Sequence, residues 1–502
     1  MRHCCGFALL LLALQLPAQT LLPDSNFGNQ GTRNYDWGFD WLQQLKIDPQ
    51  GRILMAGTGG SETNPDLALT RLLPNGNPDS EFGFGGRVEI DLGDFERATA
   101  VHIDPSNRIV LAGTSTSNQG ELLFCAFHEN GLRDSSFGTF GIARFSHTSL
   151  HINGPIAELI SDGQSGYFAS FQGYIESTQG FGIVHLLANG SFDPNWSQGF
   201  AFFAVNGSPD GFEKCMLLQP NGSLLLAGSV YVGNVSHWLL FRILPNGAPD
   251  PDFQNSGVLE VQPVPQASVI RSMHYDSNQR IVLGGYAPNF NGADQSILLR
   301  LLPNGSPDPD FGNNGIQIPP AIHGARITDM ALRENAHWLA TGPGSESGFN
   351  LMEFLASGDW NSDFGTNGCY SSSPTNAEAT TMVLLPGDSS VLMGGSDLLA
   401  QNPDVRLQKF RILPDAASLP NLEQNRVLPY PNPASHMLFI PGSSPLQRIV
   451  SSDGTPIPIA SYTIEAQKEG FALFWNSPPQ PGLYLLQLAS GKTLRWLCTG
   501  AQ

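Results

Sequence analysis

The stretch SPDPDFGNNG at 306–315 decides the fold, because the chain repeats it: LPDSNFGNQG at 22–31, NPDSEFGFGG at 77–86 and LRDSSFGTFG at 132–141. Looser copies are SFDPNWSQG from Ser191, APDPDFQNSG from Ala248 and DWNSDFGTNG from Asp359. The aromatic residues of the seven copies are Phe27, Phe82, Phe137, Trp196, Phe253, Phe311 and Phe364. They fall 55, 55, 59, 57, 58 and 53 residues apart, a period of about 56. A second phrase keeps the same period: GRILMAG at 51–57, NRIVLAG at 107–113, GSLLLAG at 222–228, QRIVLGG at 279–285 and SSVLMGG at 389–395, with degenerate copies from Ser165 and Ala336. A third, ALTRLLPNG at 68–76, returns as FRILPNG, LLRLLPNG and KFRILPD.

Each unit holds four short apolar runs separated by Gly, Pro, Asn and Asp, the pattern of four β-strands. A four-stranded sheet must cover its faces and edges, and stacking such sheets radially does both. The expected fold is therefore all-β, a seven-bladed β-propeller over 19–415. A solenoid of 56-residue coils is the alternative. Composition agrees: 502 residues with 55 Gly, 38 Pro and only 14% charged residues exclude a long helical or coiled-coil protein. With 25 basic against 44 acidic residues the net charge is −19, which repels the phosphate backbone and argues against a nucleic-acid partner.

Three residues before each aromatic stands Asp24, Asp79, Asp134, Asp193, Asp250, Asp308 or Asn361. An Asp or Asn there closes a turn by accepting a downstream backbone N–H. The stretch 308–313 also alternates oxygen ligands as a calcium loop does, but Gly312 occupies a ligand position and no bidentate Glu closes the loop. Structural turns are the preferred reading; calcium is the one candidate cofactor. Arg71, Arg242, Arg300 and Arg411 lie three residues before the turn proline, where other units carry Ala126, His185 and Glu353. Pairing with neighbouring acids is preferred there over a binding ring.

No HExxH, GxSxG, P-loop or CxxC pattern is present, and no catalytic residue is assigned. His147 and His151 are four apart in a β-rich context, which does not suit zinc. Tyr174, Trp238 and Trp360 are aromatics that fit either a ligand surface or a core. Cys125, Cys215, Cys369 and Cys498 are scattered singly and read as buried hydrophobes, with one long-range disulfide the alternative.

Residues 1–18 run from Arg2 through the apolar stretch Phe7–Leu16 to Pro17-Ala18, the order of a secretory signal peptide. The run is about half the roughly 20 residues needed to span a membrane, and no transmembrane segment is expected. After a polar linker at 416–426, residues 427–502 abandon the repeat and read as a small β-sandwich. Its phrases are VLPYPNPASHMLFIP at 427–441, IVSSDGTPIP at 449–458 and GLYLLQLASGKTLRWL at 482–497. They resemble the type A C-terminal sorting domain of the Bacteroidota type IX secretion system, through Pro431, Asn432, Pro433, Asp453, Gly454, Gly482, Leu483 and Tyr484. The final strand departs from that pattern by ending in Trp496-Leu497-Cys498.

The 56-residue units resemble Delta-60 repeats, bacterial propeller-forming repeats. Together the two resemblances imply export by the signal peptide and then by the type IX machinery, and a propeller released or held at the outer cell surface. They imply no defined catalytic activity. The expected function is a secreted or cell-surface binding module for an unknown protein or carbohydrate ligand. The alternatives are a polysaccharide-acting enzyme with its site at the channel mouth, and a structural or adhesion component.

Overall fold

In the computed structural model the chain divides into two compact units, Met1–Ile412 and Leu413–Gln502. The structure describes residues 21–412 except 37–40, 210–214, 234, 255, 266, 289–293, 320–325, 344–347, 367, 373–376, 389 and 398–403; beyond 412 it describes the backbone of six strands.

The first unit is a seven-bladed β-propeller. Blade 1 is the antiparallel meander Trp41–Ile47, Ile53–Ser61, Asn64–Leu72 and Arg87–Ile90. Five further blades repeat it, their innermost strands being Glu96–Ile103, Leu150–Ser161, Met216–Leu218, Val269–Tyr275 and Asp329–Leu332. Blade 7 takes Ala377–Leu384, Ser390–Asp397 and Val405–Ile412 from the end of the unit and its outer strands, Leu21–Pro23 and Thr32–Tyr35, from the beginning. Inner strands neighbour one another around the ring, and 377–384 returns beside 41–47. Closure by the N-terminal strands pairs the sheet edge that would otherwise face solvent where the ring begins and ends.

The first and third phrases recur because they meet. Each repeat aromatic is buried, six of the seven completely. Phe27 of blade 7 packs on Gly76 of blade 1, Phe82 on Gly131, Phe137 on Gly190, Phe253 on Gly305 and Phe311 on Gly358, always the hairpin glycine of the following blade. Backbone bonds from Gly28, Gly83 and Gly138 to Asn75, Asn130 and Asn189 tie the same surfaces.

The seven turn residues hold this staple. In every copy the Oδ1 atom accepts the backbone N–H two residues on, from Asn26 on Asp24 (3.1 Å) to Asp363 on Asn361 (3.2 Å). The second oxygen takes a cation: Arg71 on Asp79 (2.8 Å), Arg242 on Asp250 (2.7 Å) and Arg300 on Asp308 (2.8 Å). These guanidiniums also lie over Phe82, Phe253 and Phe311 at 4.3–4.7 Å. Where the pattern changes, the partner changes with it. In blade 2, where Ala126 stands in place of the arginine, Arg108 just before the adjacent strand is the cation on Asp134, as Arg280 also is on Asp308; His185 pairs with Asp193, and in blade 6 Asn361 donates to Glu353, which Arg333 neutralises.

One expectation is corrected. In blade 7 the residue facing the turn is Lys409, 3.2 Å from Asp24, rather than Arg411. The register there is set by pairing Pro23 with Phe410 and Thr32 with Gln408.

Cys125, Cys215 and Cys369 are buried, and Cys125 and Cys369 are free thiols. No helix among the described residues is long and apolar enough to cross a membrane.

The second unit contains two three-stranded antiparallel sheets. One is Met437–Pro441, Gly470–Trp475 and Tyr462–Gln467; the other is Leu446–Ser451, Gly482–Leu488 and Thr493–Cys498. Gly482, Leu483 and Tyr484 open the central strand of the second sheet. Residues 1–18, Pro431–Pro433, Asp453 and Gly454 lie outside the described residues.

Candidate functional site

Each inner strand of blades 1, 2, 5 and 7 carries a β-bulge, at Leu42/Gln44, Ala98/Ala100, Ile270/Ser272 and Ala379/Thr381, and blade 3 has one at Ile156/Glu158. A bulge inserts one residue and re-aims its side chain. It also presses a carbonyl against the neighbouring strand: a Cβ on Gly57 would lie 1.9 Å from the Trp41 oxygen, which is why the RILMAG phrase ends in glycine.

Below the bulge the inward positions are buried. The equivalent positions Gln44, Ala100, Glu158, Cys215, Ser272, Asp329 and Thr381 are all buried. Gln44 accepts the N–H of Val101 at 2.7 Å and reaches across blade 2 to Glu158 at 3.2 Å. Asp329 accepts from Met382 at 2.8 Å, and Thr381 from Leu45 at 3.3 Å. Gln44, Glu158, Asp329 and Thr381 thus bond between blades at this waist and help hold the ring together.

Above the bulge, over blades 1 to 3, lies a cleft of about 620 Å³, within the roughly 300–1,000 Å³ usual for small-ligand sites. Blade 2 supplies one wall with Phe95, Arg97, Thr114, Thr116 and Gln119; blade 3 supplies the other with His151, Asn153 and Tyr174; Gln43, the extra residue of the first bulge, reaches in from blade 1. His151 and Tyr174 stand opposite each other in register, and their rings stack at 4.6 Å and 6°. Arg97 is exposed and lies over the Phe95 ring at 4.7 Å. Among the described residues no carboxylate pairs with it, and the side chains of Gln43, Thr114, Gln119 and Asn153 have no protein hydrogen-bond partner. The lip holds two successive residues in the left-handed region, Asn118 (φ +50°) and Gln119 (φ +72°), a conformation that costs about 1 kcal/mol or more for a residue other than glycine.

Beside the cleft, carboxylate oxygens of Asp66, Asp91 and Glu96 come within 4.8 Å of one another, the one such metal-compatible group among the described residues. Burial, then the charges of Asp91 and Glu89, raise the Asp66 carboxyl above its ordinary value. Burial likewise raises Glu96, partly offset by the N–H groups of Leu92 and Asp94. A second hollow, of about 470 Å³, sits on the rim against Gly138, Thr139 and Phe192, and its arginine, Arg144, is neutralised by Glu121 at 3.0 Å.

The structure sorts the residues singled out in the sequence. The seven turn residues belong to the rim and face protein. Trp238 is core, 2% exposed. His147 turns to Phe200 at 5.0 Å, away from the stacked His151. Tyr174 and His151 alone among them enter the cleft. Arg97, Gln43, Gln119 and Asn153 were missed, and their signal in the sequence is negative: they stand where the repeat does not repeat.

Three segments, 49–82, 219–253 and 277–311, match the model of a β-propeller domain of unknown function, DUF5122. No curated protein matches the chain. Among solved structures, polysaccharide lyase Uly1 is similar at 9% identity and a TM-score of 0.46, over 78% of this chain and 100% of that one. A catalytically inactive virginiamycin B lyase from Staphylococcus aureus with quinupristin is similar at 11% and 0.45, over 75% and 98%. A lectin from Burkholderia pseudomallei is similar at 8% and 0.42, over 72% and 94%. Likeness at this level transfers no activity.

Proposed function

We propose that the chain is an exported binding module whose propeller holds a glycan in the cleft over blades 1 to 3. The observation that carries this is the set of amide and hydroxyl side chains without protein partners, Gln43, Thr114, Gln119 and Asn153, facing one cleft beside the flat His151–Tyr174 stack. Sugars present hydroxyls at their edges and C–H faces between them. Amides and an aromatic wall are complementary to both. Export is proposed from residues 1–18 and from the sorting-domain phrases of 427–502, with the type IX machinery as partner and the medium or outer cell surface as destination.

A panel of neutral and acidic oligosaccharides titrated into the full chain tests the binding reading. Binding to at least one, lost in Tyr174→Ala at unchanged melting temperature, supports it; no binding to any removes it. A polysaccharide-acting enzyme is the second reading, favoured by His151 and Tyr174 lying side by side, since imidazole and phenol both transfer protons. Release of new reducing ends from a bound glycan decides between the two. For export, removing 427–502 in the producing cell should leave the propeller in the periplasm.

A further inference from the structure

We infer that the glycan held in this cleft is acidic, carrying a carboxylate or sulfate that Arg97 binds. The inference rests on the glycan-binding reading above and adds the ligand's charge. Among the described residues most guanidiniums are paired with a carboxylate, and Arg97, which lines this cleft, is not. Arg52, Arg71, Arg87, Arg108, Arg144, Arg242, Arg280, Arg300, Arg326 and Arg333 each have a carboxylate at 2.5–3.0 Å or closer. With 44 acidic residues against 25 basic, acid is not scarce.

Nor does the fold require an arginine at this position. The equivalent residues, whose carbonyls also press on the phrase-ending glycine, are Trp41, Val269, Arg326 and Glu378. Of these, Arg326 is neutralised by Asp294. A position that accepts tryptophan, valine, arginine and glutamate in four blades is not serving a shared structural role.

The local geometry suits an oxyanion. The guanidinium carbon lies 4.7 Å from the Phe95 ring centroid, and its N–H groups, without a protein acceptor among the described residues, can donate two parallel bonds to a carboxylate or sulfate. Gln43, Gln119 and Asn153 remain for the ring hydroxyls of the same sugar. The ligand class is therefore a uronate-containing or sulfated glycan, recognised at one charged residue by Arg97 and along its length by the amides.

The test measures binding of the full chain, wild type and Arg97→Ala, to oligogalacturonate, oligoguluronate and chondroitin sulfate oligosaccharides, with methyl-esterified oligogalacturonate and laminarin oligosaccharides as neutral probes. The expected result is selective binding of at least one acidic probe that weakens with added salt. Arg97→Ala should weaken it about tenfold to a hundredfold, and Arg97→Lys should recover only part, because lysine keeps the charge without the planar fork. Melting curves of both variants matching wild type would place the loss in the cleft. Equal binding of neutral and acidic probes, or no effect of Arg97→Ala, overturns the inference and leaves glycan binding standing. No binding to any probe removes both.

Discussion

The rim and the mouth of the propeller follow opposite rules. At the rim a phenylalanine, a turn acid and a cation recur in nearly every blade, and each side chain is spent on a protein partner: Phe311 under Gly358, Asp308 between the Asp310 N–H and Arg300. At the mouth, positions equivalent by register hold Trp41, Arg97, Val269, Arg326 and Glu378, and the cleft residues of blades 1 to 3 keep polar atoms with no protein partner. Repetition marks what every blade needs from the next. Its loss marks where the blades stop depending on one another and a ligand can take over.

Mutations should separate the two regions, the rim acting on stability and the mouth on binding. Phe311→Ala empties a fully buried contact between blades 5 and 6 and should cost about 3–5 kcal/mol in denaturant unfolding. A loss below about 1 kcal/mol would mean that the repeated phrase does not staple one blade to the next. Gly57→Ala places a methyl 1.9 Å from the Trp41 carbonyl and should cost about 1–3 kcal/mol in the same measurement.

The two classes of carboxylate should also respond oppositely to pH. For Asp308, burial pushes the pKa up, but the Asp310 N–H and the Arg300 and Arg280 guanidiniums outweigh it and hold the carboxyl below its ordinary value. A depressed folded pKa contributes stability that is present above the unfolded value, about 3.9, and lost as pH falls through the folded one. Asp308→Asn should therefore be clearly less stable than wild type at pH 7, and the difference should shrink in melts below about pH 4. Asp66, raised by burial and by Asp91 and Glu89, has the reverse sign. Its ionisation destabilises the fold above the raised pKa, so Asp66→Asn should gain about 0.5 kcal/mol or less at pH 7, and the gain should vanish as pH drops through the ordinary Asp value. A gain that persisted at low pH would point to packing rather than charge.

The smallest change in stability should come from the mouth itself. Asn153→Ala removes an exposed amide with no protein partner, and its unfolding free energy should stay within about 0.5 kcal/mol of wild type. If it proved as damaging as a rim variant, the contrast between the regions would fail.

Much of the rim is legible in the sequence. Seven aromatics at a period of about 56 implied seven blades, and the propensity of Asp to close a turn on a downstream N–H accounts for the residue three before each. The phase of a blade was not legible. The phrase around Phe27 looks like the start of the first unit, yet Thr32–Tyr35 pairs with Val405–Ile412 in the last blade. A period carries no origin, and the phrase recurs because it joins one blade to the next rather than because it begins one. The same blindness placed Arg411 where Lys409 stands, since the register of the last strand is set by its pairing with the N-terminal strands.

The cleft shows the other limit. Tyr174 and His151 were visible as an aromatic and a histidine, 23 residues apart with a hairpin between them. Only the antiparallel register of their strands puts them ring on ring. Arg97 carried no local signal, because an arginine on a strand looks the same whether or not an acid waits beside it in space.

What the sequence determined by itself was the set of interactions used again and again: strand count, turn chemistry, the buried aromatic and the number of blades. These are short-range or periodic, and so are written in spacing. The tertiary structure decided how the ring closes, that its waist is bridged by Gln44, Glu158 and Asp329, and which unrepeated side chains converge above it. Those depend on contacts between blades more than 50 residues apart, where the chain order specifies neither distance nor direction.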